Sequence, residues 1–365
     1  MAIETIGFIG LGLIGGSLAK TIRRVYPDKT LIGYNRSKSS LAAALEDGTL
    51  NQAQDAIDES FAACDMIFLC APVSVNIRCM ETLREIVKPD CILTDVGSVK
   101  TTIHEAVEEL GLTHQFIGGH PMAGSERFGY ANAEDRLLEN AYYILTPTGE
   151  TPDWMLEEYR NLVTSIDSLP IVLDYREHDR VTAAISHLPH VIAYALVNLV
   201  KRSDSPEGTM RMLAAGGFKD LTRIASSSPD MWQQICQENR TALADVLHEY
   251  RQALAEMEDA IRREDGTWLW NEFEEARIYR NTMPQASHGG LTGETAITVD
   301  VQDEPGAISI ITAILSAYHV SIRNMGIMHN REHQQGVLKI LVSDRNAAEK
   351  AAEVLRKHGY AVYLP

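Results

Sequence analysis

Residues 5–20 read T-I-G-F-I-G-L-G-L-I-G-G-S-L-A-K. The run T-I-G-F-I (5–9) has the character of a short buried strand, and apolar residues recur at helical spacing over about 13–24. Between them Gly10, Gly12 and Gly15 fit G-x-G-x-x-G. Gly10 permits the tight turn, Gly12 lets a pyrophosphate approach the backbone, and Gly15 lets helix and strand pack closely. The helix N-terminus then faces the anion, and Leu13 and Ile14 join the candidate contacts there. Taken alone, three glycines also fit a tight strand–helix turn with no ligand. What favours the dinucleotide fold is the continuation: a second strand at 31–34, an apolar strand at 66–72 ending in Pro72, where Pro72 and Val73 are further candidate cofactor contacts, and strand–helix alternation beyond.

The end of the second strand bears on the cofactor. A carboxylate there would bond the ribose hydroxyls and repel a 2′-phosphate. This chain has G-Y-N-R-S-K at 33–38. Asn35 can bond a hydroxyl without repelling phosphate, and Arg36 beside Ser37 could hold one. NAD is expected and NADP is permitted. The bland alternative is an exposed basic turn opening the next helix.

Strand–helix alternation runs to about residue 174, with late strands at F-I-G-G-H, Y-Y-I-L-T-P and P-I-V-L-D. A long helix is predicted from Tyr175 to about Arg202, kinked by Pro189. A second is predicted from the Ser228 N-cap to about Arg263. Residues 282–294 read as a linker, and 295–365 as a βαββαβ unit of the ferredoxin-like type. The expected fold class is therefore α/β: a doubly wound domain (1–174), an all-helical substrate and dimerisation domain (175–281), and a small ferredoxin-like domain (295–365).

Bulk properties narrow the function. The 365 residues carry a formal net charge of −17 and no basic block, which argues against nucleic acid as a partner. Any anionic substrate must be drawn by a local cluster of cations. Five cysteines at irregular spacing, without C-x-x-C, suggest reduced thiols in a cytoplasmic protein. The start M-A-I-E-T-I-G-F-I-G has no basic leader, and V-I-A-Y-A-L-V-N-L-V is short of a membrane span, so no membrane role is expected.

Four segments could carry chemistry: T-D-V-G-S-V-K (94–100), G-G-H-P-M-A-G-S-E-R-F-G (118–129), H-D-R-V-T-A-A-I-S-H-L-P-H (178–190) and G-G-F-K-D-L-T-R-I-A-S-S-S-P-D-M-W (216–232). His120, at a strand end where ligands sit in doubly wound sheets, is the leading general base; the alternative is a turn histidine bonded to backbone. His187 and His190 stand three apart, a spacing that also suits a metal pair. No carboxylate lies within that turn and Pro189 disturbs it, so no metal is expected. On an ideal helix Asp179, Ser186 and His190 share one face and would line a polar wall, with Asp179 and His190 roughly 16 Å apart. Arg223 could grip a carboxylate through two parallel bonds, or merely pair with Asp220 at the surface.

Taken in order, G-L-G-L-I-G-G-S, T-D-V-G-S-V-K, G-G-H-P-M-A-G-S-E, H-D-R-V-T-A-A-I-S-H-L-P-H and G-G-F-K-D-L-T-R-I-A-S-S-S-P-D-M-W resemble the prephenate/arogenate dehydrogenase family across nearly the whole chain. The resemblance implies oxidative decarboxylation of prephenate to 4-hydroxyphenylpyruvate, in tyrosine synthesis, by a homodimer. It implies that His120 accepts the ring hydroxyl proton while Ser98 orients that hydroxyl. His190 and Arg223 would hold substrate carboxylates, with Ser186 and His187 in the pocket wall. Glu126, Asp220 and Arg223 would form a polar network at the mouth, and Trp232 would close one side. The C-terminal unit resembles an ACT domain through V-Q-D-E-P-G-A-I (301–308) and S-I-R-N-M-G-I (321–327), which implies tyrosine as a feedback inhibitor touching Asp303, Gly306 and Asn324. The alternative is a module that only dimerises. Asn35 departs from the acid many family members carry there. Competing readings are arogenate as substrate, a hydroxyacid dehydrogenase using a helical lysine, and an amino-acid sensor with a dead catalytic domain.

Overall fold

The computed structural model describes residues 3–124, 127–283, 295–301, 304–328 and 336–364. Contacts divide the chain into two compact units, Met1–Met283 and Pro284–Pro365.

The first unit opens with β1 (Thr5–Ile9), α1 (Leu13–Val25), β2 (Thr30–Tyr34), α2 (Lys38–Glu46), β3 (Gln52–Gln54), β4 (Met66–Leu69), α3 (Val73–Leu83), β5 (Ile92–Asp95) and α4 (Thr101–Glu109). The strands pair in parallel in the order β3-β2-β1-β4-β5. Helices cover both faces, which is why these strands read as continuous apolar runs. In β4, Met66 and Phe68 enter one core while Ile67 and Leu69 enter the other. The next elements are β6 (Ile117–Pro121), β7 (Tyr142–Pro147), α5 (Asp153–Ser165) and β8 (Leu169–Val172). A parallel bridge from Leu93 to Phe116 leads from β5 to β6; β7 is antiparallel to β6 and parallel to β8.

The helical part comprises α6 (Tyr175–Thr182), α7 (Leu188–Ser203), α8 (Thr209–Leu213), α9 (Gly216–Thr222), α10 (Pro229–Glu238), α11 (Arg240–Arg262) and α12 (Gly266–Thr282). Two expectations are corrected here. Between α6 and α7 the backbone widens into a π-helical segment, Ala183–His187, and the rod continues past Pro189. Proline has no N–H to give the carbonyl four residues back and its ring crowds that carbonyl, so one extra residue in the turn relieves the clash. The extra residue also shifts the helical phase between Asp179 and His190 away from that of the ideal helix. The second predicted helix is broken at Asn239, whose buried side chain is drawn to α6 and the π segment.

Because Pro189 does not end the rod, Tyr175–Ser203 is long and apolar enough to cross a membrane by length and composition alone; its most apolar window has mean hydropathy 1.5 and is 22% buried. The membrane expectation had considered only its shorter apolar run. The rod's N-terminal half is nonetheless pinned by buried polar residues, His178, Asp179 and His187.

The second unit holds β9 (Thr295–Val301), α13 (Ala307–Ala317), β10 (Ile322–Met328), β11 (Gly336–Val342), α14 (Arg345–Lys357) and β12 (Val362–Tyr363). Its antiparallel sheet has the order β10-β11-β9-β12, with Ile311, Leu315, Ala351 and Leu355 of the helices in its core. Residues 284–294 of the expected linker, and Asp303, lie outside the described residues.

Candidate active site

The glycine-rich turn meets its three demands in different ways. Gly10 has φ +102°, open to glycine at little cost, and its N–H donates to the Tyr34 carbonyl at 2.8 Å. A Cβ on Gly15 would lie 2.3 Å from the Gly10 carbonyl oxygen and 2.8 Å from Cys70 Cβ, so α1 must carry hydrogen there to reach β4. Gly12 meets nothing within 4 Å. It is the N-cap of α1, has φ −88°, and no side chain caps the helix. The first N–H groups of α1, over Leu13 and Ile14, are thus free to meet an anion. These features fit a dinucleotide pyrophosphate. Gly12→Ala is expected to leave the melting temperature unchanged while weakening dinucleotide binding at least about tenfold by crowding the phosphates; fluorescence titration beside a thermal melt measures both.

The end of the second strand is tied to the glycine turn. Asn35 Oδ1 accepts the Leu11 N–H at 3.1 Å, and its Nδ2 donates to the Ser37 carbonyl at 3.3 Å. Its oxygen holds the glycine turn in place and keeps a second lone pair, as Nδ2 keeps a second hydrogen. Ser37 Oγ caps α2 by accepting the Ser40 N–H. Arg36 is exposed. Pro72 is the N-cap of α3 and Val73 is buried behind it. Asn76, unnoticed in the sequence, fixes that turn: its Oδ1 accepts the Ala71 N–H and its Nδ2 donates to the Leu69 carbonyl, both at 3.1 Å.

The T-D-V-G-S-V-K loop joins β5 to α4 around a fully buried ion pair. Lys100 Nζ bonds the Asp95 carboxylate and donates to the Gly119 carbonyl at 2.8 Å. Asp95 in turn accepts the Gly97 N–H at 2.8 Å and the Gly119 N–H at 3.2 Å. Ser98, half-buried, sits on the loop so clamped. The two glycines before His120 are demanded by packing: a Cβ on Gly118 would fall 2.3 Å from Thr146 Oγ1, and one on Gly119 2.5 Å from the Tyr159 hydroxyl.

His120 lies at the end of β6, one residue before Pro121 and opposite Ile144. Its ring is nearly buried, and its Nδ1 is 2.8 Å from His178 Nε2. His178 Nδ1 is 2.8 Å from Asp179 Oδ1. Asp179 also accepts the Lys100 and Thr101 N–H groups at 2.8 Å each, capping α4 from 78 or more residues away. Burial would raise the Asp179 carboxyl; bonds from His178, Thr101 and Lys100 more than offset this and hold it below its ordinary value. Burial pushes His120 well below the usual histidine range, helped by the nearby His178, Lys100 and His187.

The H-L-P-H histidines meet α10. His190 stacks on Trp232 with ring centroids 3.6 Å apart, and its Nδ1 donates to the Ser186 carbonyl at 3.0 Å. Burial lowers His190, the Ser186 bond opposes this, and the Arg223 charge lowers it further; the short turn Arg223–Ser226 packs on α7, which carries His190. His187 is buried, accepts from Asn239 Nδ2 at 3.0 Å, and is pushed down to about 4 by burial. The buried Trp232 indole N–H has no partner among the described residues. Val99, next to Ser98, packs with Trp232 and Ile235. The structure thus gathers Ser98, His120, His187, His190, Trp232 and Arg223 about one region, with Ser186 contributing its carbonyl. Arg223 is exposed. Glu126 lies outside the described residues. Among the described residues no group of three His, Cys, Asp or Glu could hold a metal.

Residues 18–170 match the profile "Prephenate dehydrogenase, nucleotide-binding domain" and residues 174–275 match "Prephenate dehydrogenase, dimerization domain". The chain belongs to the prephenate dehydrogenase family. Bacillus subtilis prephenate dehydrogenase is 37% identical over 355 residues, 96% of each chain. Prephenate dehydrogenase from A. aeolicus, solved with hydroxyphenyl propionate and NAD+, is 32% identical with a TM-score of 0.73, covering 77% of this chain and 98% of that one. Synechocystis arogenate dehydrogenase is 32% identical with a TM-score of 0.70, covering 76% of this chain and 99% of that one.

Proposed function

We propose that the chain oxidatively decarboxylates prephenate to 4-hydroxyphenylpyruvate, with NAD as hydride acceptor. The observation that carries this is a buried, neutral His120 on the strand beside the clamped Ser98 loop, in a chain of this family. Absorbance at 340 nm with prephenate or arogenate, and with NAD or NADP, tests it: NADH should form with prephenate, and no signal with either substrate would defeat it.

Bound NAD supplies the hydride acceptor; Gly10, Gly12, Leu13, Ile14 and Gly15 would hold its pyrophosphate, with Arg36, Pro72 and Val73 nearby. Ser98 orients the C4 hydroxyl of the substrate. His120 takes the hydroxyl proton as the C4 hydrogen leaves with its electron pair. The electrons of the O–H bond become the carbonyl, and loss of CO₂ then returns electrons to the ring and makes it aromatic.

Prephenate carries two carboxylates, and the acidic chain must supply local cations. Arg223 and His190 fill that need, with His187, Ser186 and the unpartnered Trp232 N–H completing the wall and Glu126 at the mouth. Gripping the departing carboxylate as tightly as the transition state would add nothing to the chemical step, so Arg223 is assigned to the carboxylate that stays. Arg223→Ala should raise KM for prephenate about 10–100-fold, the worth of a charge-assisted bond, with a smaller change in kcat. Steady-state kinetics decides; an unchanged KM removes Arg223 from the substrate.

The working unit is a homodimer in this proposal. Large apolar side chains stand exposed on single-chain helices, Met212 at 75%, Tyr279 at 67% and Trp270 at 65%, and a self-complementary partner would cover them. Five free thiols without a disulfide support a reducing, cytoplasmic setting.

The second unit is assigned as an ACT domain that binds tyrosine. Its βαββαβ order supports this, as does Gly306, φ +93°, at the N-terminus of α13 with nothing within 4 Å of its open side. Asn324 is exposed on β10; Asp303 completes the candidate set. A chain ending near residue 290 should keep prephenate oxidation and lose inhibition by tyrosine. Inhibition that survives the truncation would place tyrosine elsewhere.

A further inference from the structure

We propose that Asp179 and His178 act as positioning residues that fix the tautomer of His120: a two-step hydrogen-bond chain leaves His120 Nε2 bare for the substrate and spreads the charge of the proton it takes. The proposal presupposes the base role of His120.

The tautomers follow from donors and acceptors alone. Asp179 is an ionised carboxylate held by two backbone N–H groups at the start of α4, so it can only accept. The hydrogen between it and His178 Nδ1, 2.8 Å away, therefore belongs to the histidine. In neutral His178 that makes Nε2 an acceptor. The hydrogen in its 2.8 Å contact with His120 then belongs to His120 Nδ1. Neutral His120 is left with a lone pair on Nε2. Free imidazole has no such obligation, and the opposite tautomer of His120 would set two lone pairs against each other at 2.8 Å.

The chain also moves charge. As the O–H bond of the substrate breaks, an N–H bond forms at His120 Nε2. The Nδ1 proton can then pass to His178 Nε2, leaving His120 neutral and His178 an imidazolium against the Asp179 carboxylate. When CO₂ has left, the ring oxygen carries the negative charge, and the same two transfers run backwards to protonate it. No proton is gained or lost by the protein over the cycle. The groups facing this chain are Lys100, which disfavours a cation on either ring, His187, which disfavours one on His120, and Asp95, which favours one on His178. Asp179 is the only carboxylate in hydrogen-bond contact with it among the described residues. Sequence reading had set Asp179 on the pocket wall and passed over His178, because the H-D pair shows neither its partner on β6 nor its partner on α4.

Two substitutions divide the chain. His178→Asn places an amide N–H where Nδ1 stood, keeping the Asp179 bond and losing the acceptor for His120. His178→Gln reaches the Nε2 position and keeps that acceptor. We expect His178→Asn to lower kcat about 10²–10⁴-fold with KM for prephenate little changed, the scale of a general base in the wrong tautomer. His178→Gln should stay within about tenfold of wild type. Nitrogen-15 spectra of histidine-labelled, substrate-free protein at pH 8 should show His120 protonated at Nδ1 in the wild type and released from that state in His178→Asn. Equal kcat losses in the two variants, an unchanged kcat in both, or a wild-type His120 protonated at Nε2 would overturn the proposal. If either variant fails to fold by thermal melt, the wild-type spectrum alone decides. A wild type with the expected tautomer but no prephenate oxidation would defeat the proposed function and leave the hydrogen-bond chain standing.

Discussion

Replacing His120 with asparagine is expected to lower kcat about 10²–10⁴-fold while leaving NAD affinity as it was. Asparagine fits the site: it is smaller than histidine, and its amide can still donate toward His178. What it lacks is a nitrogen able to take a proton, so the C4 hydroxyl would have to lose its proton to water in a region built from buried side chains. The pH profile carries the second half of the expectation. Burial, then the neighbouring His178, Lys100 and His187, hold His120 well below the ordinary histidine value of about 6.5. A base with a depressed pKa is unprotonated throughout the neutral range. The rate should therefore stay level there and decline only in acid, as the imidazole gains a proton. In His120→Asn that acid limb should vanish from whatever rate remains. Stopped assays across pH, with cofactor titration by fluorescence, measure both. A variant within tenfold of wild type, or one that keeps the acid limb, would move the base to another residue.

The parts of this site that were legible in the sequence are the local ones. Gly10 and Gly15 announce themselves because a turn and a helix–strand contact each need a residue without a side chain, and the glycine spacing that marks them fits within a dozen residues. His120 follows from its place on a strand in an alternating α/β pattern. The two glycines before it were visible, though not their reason, since Thr146 on β7 and Tyr159 on α5 crowd them from distant parts of the chain. Long-range partners leave no periodic trace. Asp179 caps a helix that begins at Thr101, Asn239 breaks a helix to reach His187, and Asn35 turns its oxygen inward to Leu11. Each of these residues had a plausible local explanation that was wrong or incomplete. The π segment was hidden for a different reason: a proline in an apolar helix predicts a disturbance, but the sequence does not say whether the chain bends or widens. Apolar periodicity likewise cannot separate a stripe that faces the core of one chain from a stripe such as Met212, Trp270 and Tyr279, which one chain leaves exposed.

Lys100→Met should strongly destabilise the first unit while leaving the catalytic groups chemically untouched. Lys100 and Asp95 are both fully buried, and the ammonium bonds the Asp95 carboxylate and the Gly119 carbonyl. Methionine fills the space of the aliphatic stem but leaves a buried carboxylate facing only two backbone N–H groups, those of Gly97 and Gly119. Breaking one side of a buried pair costs about 3–5 kcal/mol. For a unit of this size that corresponds to a fall in melting temperature on the order of 10 °C. The cost comes from the stranded charge more than from lost attraction, since the intact pair must itself offset the desolvation of both ions. Removing the charge should therefore rescue the fold: Asp95→Asn combined with Lys100→Met is expected to recover most of the loss, to within about 1–2 kcal/mol of wild type. Activity need not follow stability, because the pair also sets the loop that carries Ser98 against the strand that carries His120. A double variant that melts near the wild-type temperature yet turns over slowly would assign the pair to alignment of the site. One that melts as low as the single variant would show that packing around Lys100, and not the unpaired carboxylate, sets the stability of the loop.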